Sequence, residues 1–272
     1  MIPQYFDIHS HVTFKDYDQD LEEVLQRIRD ESVWTITVGV NKATSEDAVK
    51  FGEGKEGFFS TIGLHPNDTE KETFSESEYK SLILNPKVVG VGECGLDYFR
   101  ITGDIAIAKK RQMREFEKHI DFAIKYDKPL MIHGRPSRGT VDTYLDMLAM
   151  LESKKREVGE KLRGNIHFFV GTVDIARRFY SIGFTTSFTG VLTFAREYDE
   201  VVKFAPLEML MTETDAPYAT PNPFRGRRNE PLYVKYVVGA IASIRGIGEE
   251  VAREATVQNA IKMFVPSLNA SH

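Results

Sequence analysis

Apolar residues gather into eight short runs rich in β-branched and aromatic side chains, at 5–12, 34–40, 58–64, 88–93, 129–133, 165–170, 184–188 and 208–212. Each has the length and bounding residues of a strand. Between the runs the apolar spacing changes to three and four. Leu21, Val24, Leu25 and Ile28 form one stripe, and Phe116, Ile120, Ala123 and Ile124 form another. These stripes predict amphipathic helices. Ser75-Glu76-Ser77-Glu78 has the pattern of a capped helix start, and the charged stretch 152–163 reads as a solvated helix end and loop.

Strands that alternate with helices imply a parallel sheet. Eight of them, in a chain of 272 residues, match the count that closes an α/β, (β/α)8 TIM barrel, expected to occupy residues 1–272 as one domain. The alternative is an open doubly wound sheet, which would carry a glycine-rich phosphate loop after its first strand. Here the first strand ends in His9-Ser10-His11 instead.

Composition narrows the setting. The chain is 42% hydrophobic and 28% charged, as in ordinary globular proteins. Its one cysteine, Cys94, excludes an intrachain disulfide and fits a cytoplasmic location. No basic-then-apolar leader and no membrane-length apolar run stands in the sequence, so no membrane association is expected. Asn269-Ala270-Ser271 fits a glycosylation pattern but reads as a plain tail. The net charge of −5 argues against a broad electrostatic grip on duplex nucleic acid. It leaves room for a local basic rim, for which Arg225, Arg227 and Arg228 are candidates.

The chemistry lies at the strand ends, where a barrel of this type places its catalytic groups. The first strand ends in His9 and His11, the third in His65, the fourth in Glu93, the fifth in His133 and the eighth in Asp215, while the sixth carries His167. Five of the seven histidines thus fall at strand ends; His119 lies in a helix and His272 at the terminus. Side chains alternate along a strand, so His9 and His11 point the same way and can grip one cation. Asp7 is expected on that face one step deeper, orienting a ligand. Cys94 should pack behind the site. Imidazoles with carboxylates suit transition metals. Four histidines, Glu93 and Asp215 exceed the needs of one four-coordinate zinc and match a two-metal site. Two divalent cations, drawn from Zn, Mn, Mg, Fe or Ni, would activate hydroxide for hydrolysis, most naturally of a phosphoester.

Taken in order, D-I-H-S-H, G-L-H-P, G-E-C-G-L-D-Y, I-H-G-R, E-T-D-A-P-Y and G-R-R-N-E-P resemble the TatD family of metal-dependent deoxyribonucleases, within the amidohydrolase-like barrels. The resemblance covers almost the whole chain. It implies that His9 and His11 hold one metal with Asp215, that His133 and His167 hold the second, and that Glu93 bridges the pair. Asp215 would also orient or deprotonate the attacking water. His65 and Arg135 would contact substrate phosphate, and Asp97, Tyr98, Arg228 and Asn229 would line the substrate mouth. The implied substrate is DNA, as single strands or ends, cut exonucleolytically, with no obligate protein partner. The sequence departs from the family's usual reading after the H-x-H, where Val12 and Thr13 follow, and in the sixth strand, where H-F-F-V-G places Phe168 and Val170 in the lining. The rival expectations are a small-molecule hydrolase on the same barrel, acting on a phosphoester, amide or lactone, and a catalytically silent binding protein.

Overall fold

The computed structural model describes residues 2–266; Asn269-Ala270-Ser271 and His272 lie outside them. Eight strands follow one another around a single sheet: β1 (Tyr5–Ser10), β2 (Val33–Val38), β3 (Phe58–Ile62), β4 (Val88–Asp97), β5 (Leu130–Arg135), β6 (Gly164–His167), β7 (Phe184–Phe188) and β8 (Leu210–Thr212). Each pairs in parallel with the next. The ring is completed just beyond β8. There Ser10 bridges Ala216, the Asp215 N–H donates to His9 O at 2.9 Å, and the His11 N–H donates to Ala216 O at 2.7 Å. The helices are α1 (Leu21–Asp30), α2 (Lys42–Gly52), α3 (Glu76–Ile83), α4 (Ile105–Lys125), α5 (Asp142–Val158), α6 (Val173–Ser181), α7 (Asp199–Phe204), α8 (Val234–Arg245) and α9 (Glu249–Phe264). This is the expected TIM barrel.

The stripes read from the sequence are the buried faces. Val24, Leu25 and Ile28 of α1 are covered, as are Phe116, Ile120 and Ala123 of α4. α3 begins after Ser75, but the Ser75 side chain accepts no capping bond. Its hydroxyl pairs with Ser77 at 2.8 Å, so the local serine pair competes with the cap. The charged stretch is the end of α5 and a 3-10 turn at Gly159–Lys161.

Two strands depart from simple alternation, and both carry site residues. In β1 the pairs Asp7↔Thr35 and Ser10↔Thr37 set three steps against two, a bulge of one residue. In β4 the pairs Val91↔Leu130 and Cys94↔Ile132 do the same. Gly92 lies within that irregularity and Gly95 just after it, at φ 148° and 135°, and a Cβ on either would lie 2.2 Å from a backbone oxygen of β5. Only glycine fits there. The bulge lets β4 continue to Asp97, beyond the end at Glu93 that the apolar run suggested.

His119 ties α4 to the end of β3. Its ring donates from Nδ1 to Glu115 O at 2.7 Å and accepts at Nε2 from the Leu64 N–H at 2.9 Å, which requires the neutral form. Burial, chiefly, holds its pKa down from the ordinary 6.5 to about 4. Between those values the unfolded chain binds the extra proton, so stability is full above pH 6.5 and is lost as pH falls towards 4. The loss from this group should approach about 3 kcal/mol. His119→Gln, which cannot titrate, should flatten that limb in denaturant melts across the interval. Equal slopes for the two proteins would remove His119 as the cause.

Candidate metal centre

His9 of β1, Glu93 of β4, His133 of β5 and His167 of β6 meet at one point at the C-terminal face, joined by His11 just past β1, His65 three residues past β3 and Asp215 three residues past β8. Glu93 is at the centre, and its two oxygens sort the imidazoles into pairs. Oε2 lies 3.5 Å from His9 Nε2 and 3.9 Å from His11 Nε2. Oε1 lies 2.9 Å from His133 Nδ1 and 3.1 Å from His167 Nε2, with His65 Nε2 at 3.5 Å. Asp215 Oδ1 closes the first pair at 3.8 Å from His9 and 3.6 Å from His11. The rings of His9 and His167 stack at 3.8 Å between centroids.

Hydrogen bonds on the far side of the rings fix which nitrogens face inward. His11 Nδ1 donates to Val38 O at 3.0 Å, which leaves the Nε2 lone pair aimed at the centre. His167 Nδ1 faces Glu213 at 3.3 Å. Glu213 also accepts from the Phe168 N–H at 2.6 Å and from Ser187 Oγ at 2.7 Å, and Ser187 in turn takes a bond from Asn165 at 2.6 Å. This chain runs from the barrel interior to the carboxylate that faces His167. His133 is held between Glu93 at Nδ1 and Asp97 at Nε2, 3.1 Å away. His65 differs from the others. Its Nδ1 accepts from the Asn67 N–H at 3.1 Å, so the proton sits on Nε2 and the ring offers a donor, not a lone pair.

The charges follow this arrangement. Burial acts to raise the Glu93 carboxyl, but His65, His167 and His133 outweigh it and hold the group well below its ordinary range. Asp215 is lowered in the same way, against burial, by His11, His9 and His167. Burial opposes protonation of His167, yet Glu213 and Glu93 raise it well above the usual value; His11 and His133 are also raised against burial, by Asp215 and Glu93 and by Asp97 and Glu93. His9 is lowered by burial and by His167, and its buried Nδ1 has no hydrogen-bond partner among the described residues. Burial takes His65 down to about 3. Imidazole nitrogens and carboxylate oxygens that converge at this spacing form a donor set suited to cations. Three overlapping trios fit this description: His9-His11-Glu93, His9-His167-Asp215 and Glu93-His133-His167, each with donor atoms within 4.8 Å. A fourth, His65-Asp97-His133, is disfavoured by the His65 tautomer.

A cavity of about 760 Å³ opens above the cluster, and His65 and Arg135 line it. Arg135 lies over the ring of Phe99 at 4.3 Å, and no ion pair holds it among the described residues. Four residues expected at the mouth are placed elsewhere. Asp97 is fully buried beneath His133 and takes bonds from Asn67 and Arg100. Tyr98 turns outward to Asp146 at 2.8 Å, under Lys109. Arg228 forks both oxygens of Asp20 at 2.6 Å and covers Tyr17, so it closes a loop and is not part of a free basic rim. Asn229 is fully buried and donates to Thr214 O and Tyr218 O, which bracket Asp215. Asp7 also departs from expectation. After the β1 bulge its carboxylate accepts from Thr214 N (2.8 Å), Thr214 Oγ1 (2.6 Å) and His9 N (3.2 Å), and none of these donors is an imidazole. Cys94 is buried behind the strand, as expected. Sequence reading missed Glu213 as a positioning group. The signal was a carboxylate two places before Asp215, just past a buried strand.

Buried imidazoles grouped about carboxylates at this face of a TIM barrel define a metal-dependent hydrolase. The profile of the family described as TatD related DNase matches residues 6–265. YabD of Bacillus subtilis (strain 168), described as an uncharacterized metal-dependent hydrolase, is 37% identical over 263 residues, covering 95% of this chain and 98% of the relative. The 3'-5' ssDNA/RNA exonuclease TatD of Pantoea vagans (strain C9-1) is 30% identical over 269 residues, covering 95% and 98%. Among solved structures, YJJV, a TatD homologue from Escherichia coli K12, matches with a TM-score of 0.85 at 26% identity, covering 97% of this chain and 99% of that one. The chain belongs to the TatD family of metal-dependent hydrolases. No helix among the described residues is long and apolar enough to cross a membrane.

Proposed function

We propose that the protein is a two-metal phosphodiesterase that removes nucleotides from DNA, at single strands or strand ends. The observation that carries the reading is the position of Glu93, one oxygen towards His9 and His11 and the other towards His133 and His167. Two divalent cations, one at His9, His11 and Asp215 and one at His133 and His167 with Glu93 shared, would supply the Lewis acidity that acidifies a water and offsets phosphoryl charge. Zn, Mn, Mg, Fe and Ni all remain candidates.

The chain's own groups do the rest. Asp215 lines the cavity together with Glu93, and it stands on the side of His9 and His11. Held ionised at neutral pH, it accepts the proton of the attacking water. Arg135, with its guanidinium free of ion pairs, pairs with the phosphate of the substrate. His65 donates from Nε2 to a phosphate oxygen. The Pantoea vagans relative's name supports a nucleic-acid substrate. The net charge of −5 supports ends or single strands over long duplex footprints.

Elemental analysis paired with a 3′-labelled single-stranded oligodeoxynucleotide tests this. Close to two ions per chain and stepwise shortening that a chelator stops are expected. Two ions with an untouched oligonucleotide would move the assignment to a small-molecule hydrolase on the same centre. No metal after reconstitution with Mn or Zn would overturn the centre itself.

A further inference from the structure

The strands run in order around the barrel, so residues that follow β3 and β4 stand across the mouth from those that follow β7 and β8, with the ends of β5 and β6 side by side where the two halves meet. The cavity is divided accordingly. The first side presents Asn67, Arg100 and Arg135; the second presents Phe168, Val170, Val191 and Tyr198. The catalytic cluster forms the floor between them. We propose that the second side is a nucleobase subsite that holds the base of the terminal nucleotide while the first side takes its phosphates. This rests on the phosphodiesterase reading and extends it to how the strand end is gripped.

The apolar side is built as a platform rather than left as loose loop. Phe168 adopts φ 46°, a left-handed conformation that costs a residue with a β-carbon, and it does so as part of the cavity wall. Consecutive backbone bonds hold it there: Phe168 N–H to Glu213 at 2.6 Å, Phe169 N–H to Ser187 O at 3.0 Å and Val170 N–H to the Tyr144 hydroxyl at 3.1 Å. A fixed, half-exposed apolar wall a few ångströms from a cluster of charges is poorly served by water alone. A nucleotide answers both sides at once, with an anionic phosphate for the arginines and a flat apolar base face for Phe168 and its neighbours. Recognition of that kind tolerates any base, since every base has such a face. The cationic side does not end at the cavity. A smaller cavity of about 240 Å³ beside it shares Asn67 and Arg100 and adds Arg111.

The test uses metal-loaded protein and single-stranded oligodeoxynucleotides of one length, with ordinary termini or with abasic tetrahydrofuran residues at the last two positions of either end. Ordinary termini should be removed about ten-fold faster or more. In Phe168→Asn/Val170→Ser, where asparagine tolerates the left-handed backbone, the ratio should fall towards one. Inhibition should follow the same pattern. A deoxynucleoside monophosphate should inhibit the wild type about ten-fold more strongly than deoxyribose 5-phosphate, and the variant should lose the difference. Equal rates for abasic and ordinary ends in the wild type would overturn the base subsite while leaving the nuclease intact. No shortening of any oligonucleotide would overturn both.

Discussion

Glu93→Gln should lower the rate of hydrolysis by on the order of 10³-fold or more while the fold persists. The side chain keeps its volume, so the barrel has no reason to open. What changes is the charge and the symmetry of the group. A carboxylate offers acceptors to both imidazole pairs. An amide offers one oxygen to one pair and turns towards the other an N–H₂, which cannot hold a cation. The variant should bind less metal per chain, and its His167 and His133 lose an anion that raises their affinity for a proton. Glu93→Asp keeps the charge but draws it back by one methylene, and should fall between wild type and Gln. Initial rates, elemental analysis and thermal melts on the three proteins settle the matter. Wild-type turnover in Glu93→Gln, under conditions where wild type works, would refute the central role of this residue.

The fold could be read because strands of a parallel sheet are buried on both faces and appear as unbroken apolar runs. β7 (Phe184–Phe188) came out with the limits that its residues suggest. β4 did not, since Gly92 and Gly95 interrupt the run where backbone shape, not side-chain polarity, is the requirement. The histidines were legible for a related reason. An imidazole at the end of an apolar strand is conspicuous, and the direction of the strand fixes the face it reaches. The case of Asp7 shows where this logic stops. Alternation puts Asp7 beneath the histidines, but a one-residue bulge intervenes, and no pattern of polar and apolar residues announces a bulge. Tyr98, Arg228 and Asn229 were misplaced because they lie beyond strand periodicity. Their directions are set by partners distant in sequence: Asp146, Asp20 and the carbonyls of Thr214 and Tyr218. Glu213 was overlooked beside a more conspicuous neighbour, although its contact with His167 makes it part of the same device.

Asp7→Ala should destabilise the protein by about 3 kcal/mol and slow hydrolysis on the order of 10- to 100-fold, although Asp7 lines no part of the cavity. The residue is fully buried, and its carboxylate is the acceptor for both the backbone and the hydroxyl of Thr214. Its removal strands those donors and the His9 N–H away from water, which accounts for the lost stability. The lost rate has a separate cause. Asp215 follows Thr214 and is itself at φ 54°, a conformation that persists only while its surroundings impose it. Asp7 grips the residue before it, Asn229 takes the Thr214 carbonyl, and the Asp215 N–H is tied to His9 O. With the first grip gone, the segment can relax and the Asp215 carboxylate leaves its place 3.6 Å from His11. Asp7→Asn retains one acceptor oxygen and should recover part of both losses. Denaturant melts and initial rates at saturating metal separate the two effects. A variant that melts early yet turns over at the wild-type rate would show that Asp7 braces the barrel alone, and that Asn229 and His9 suffice to aim Asp215.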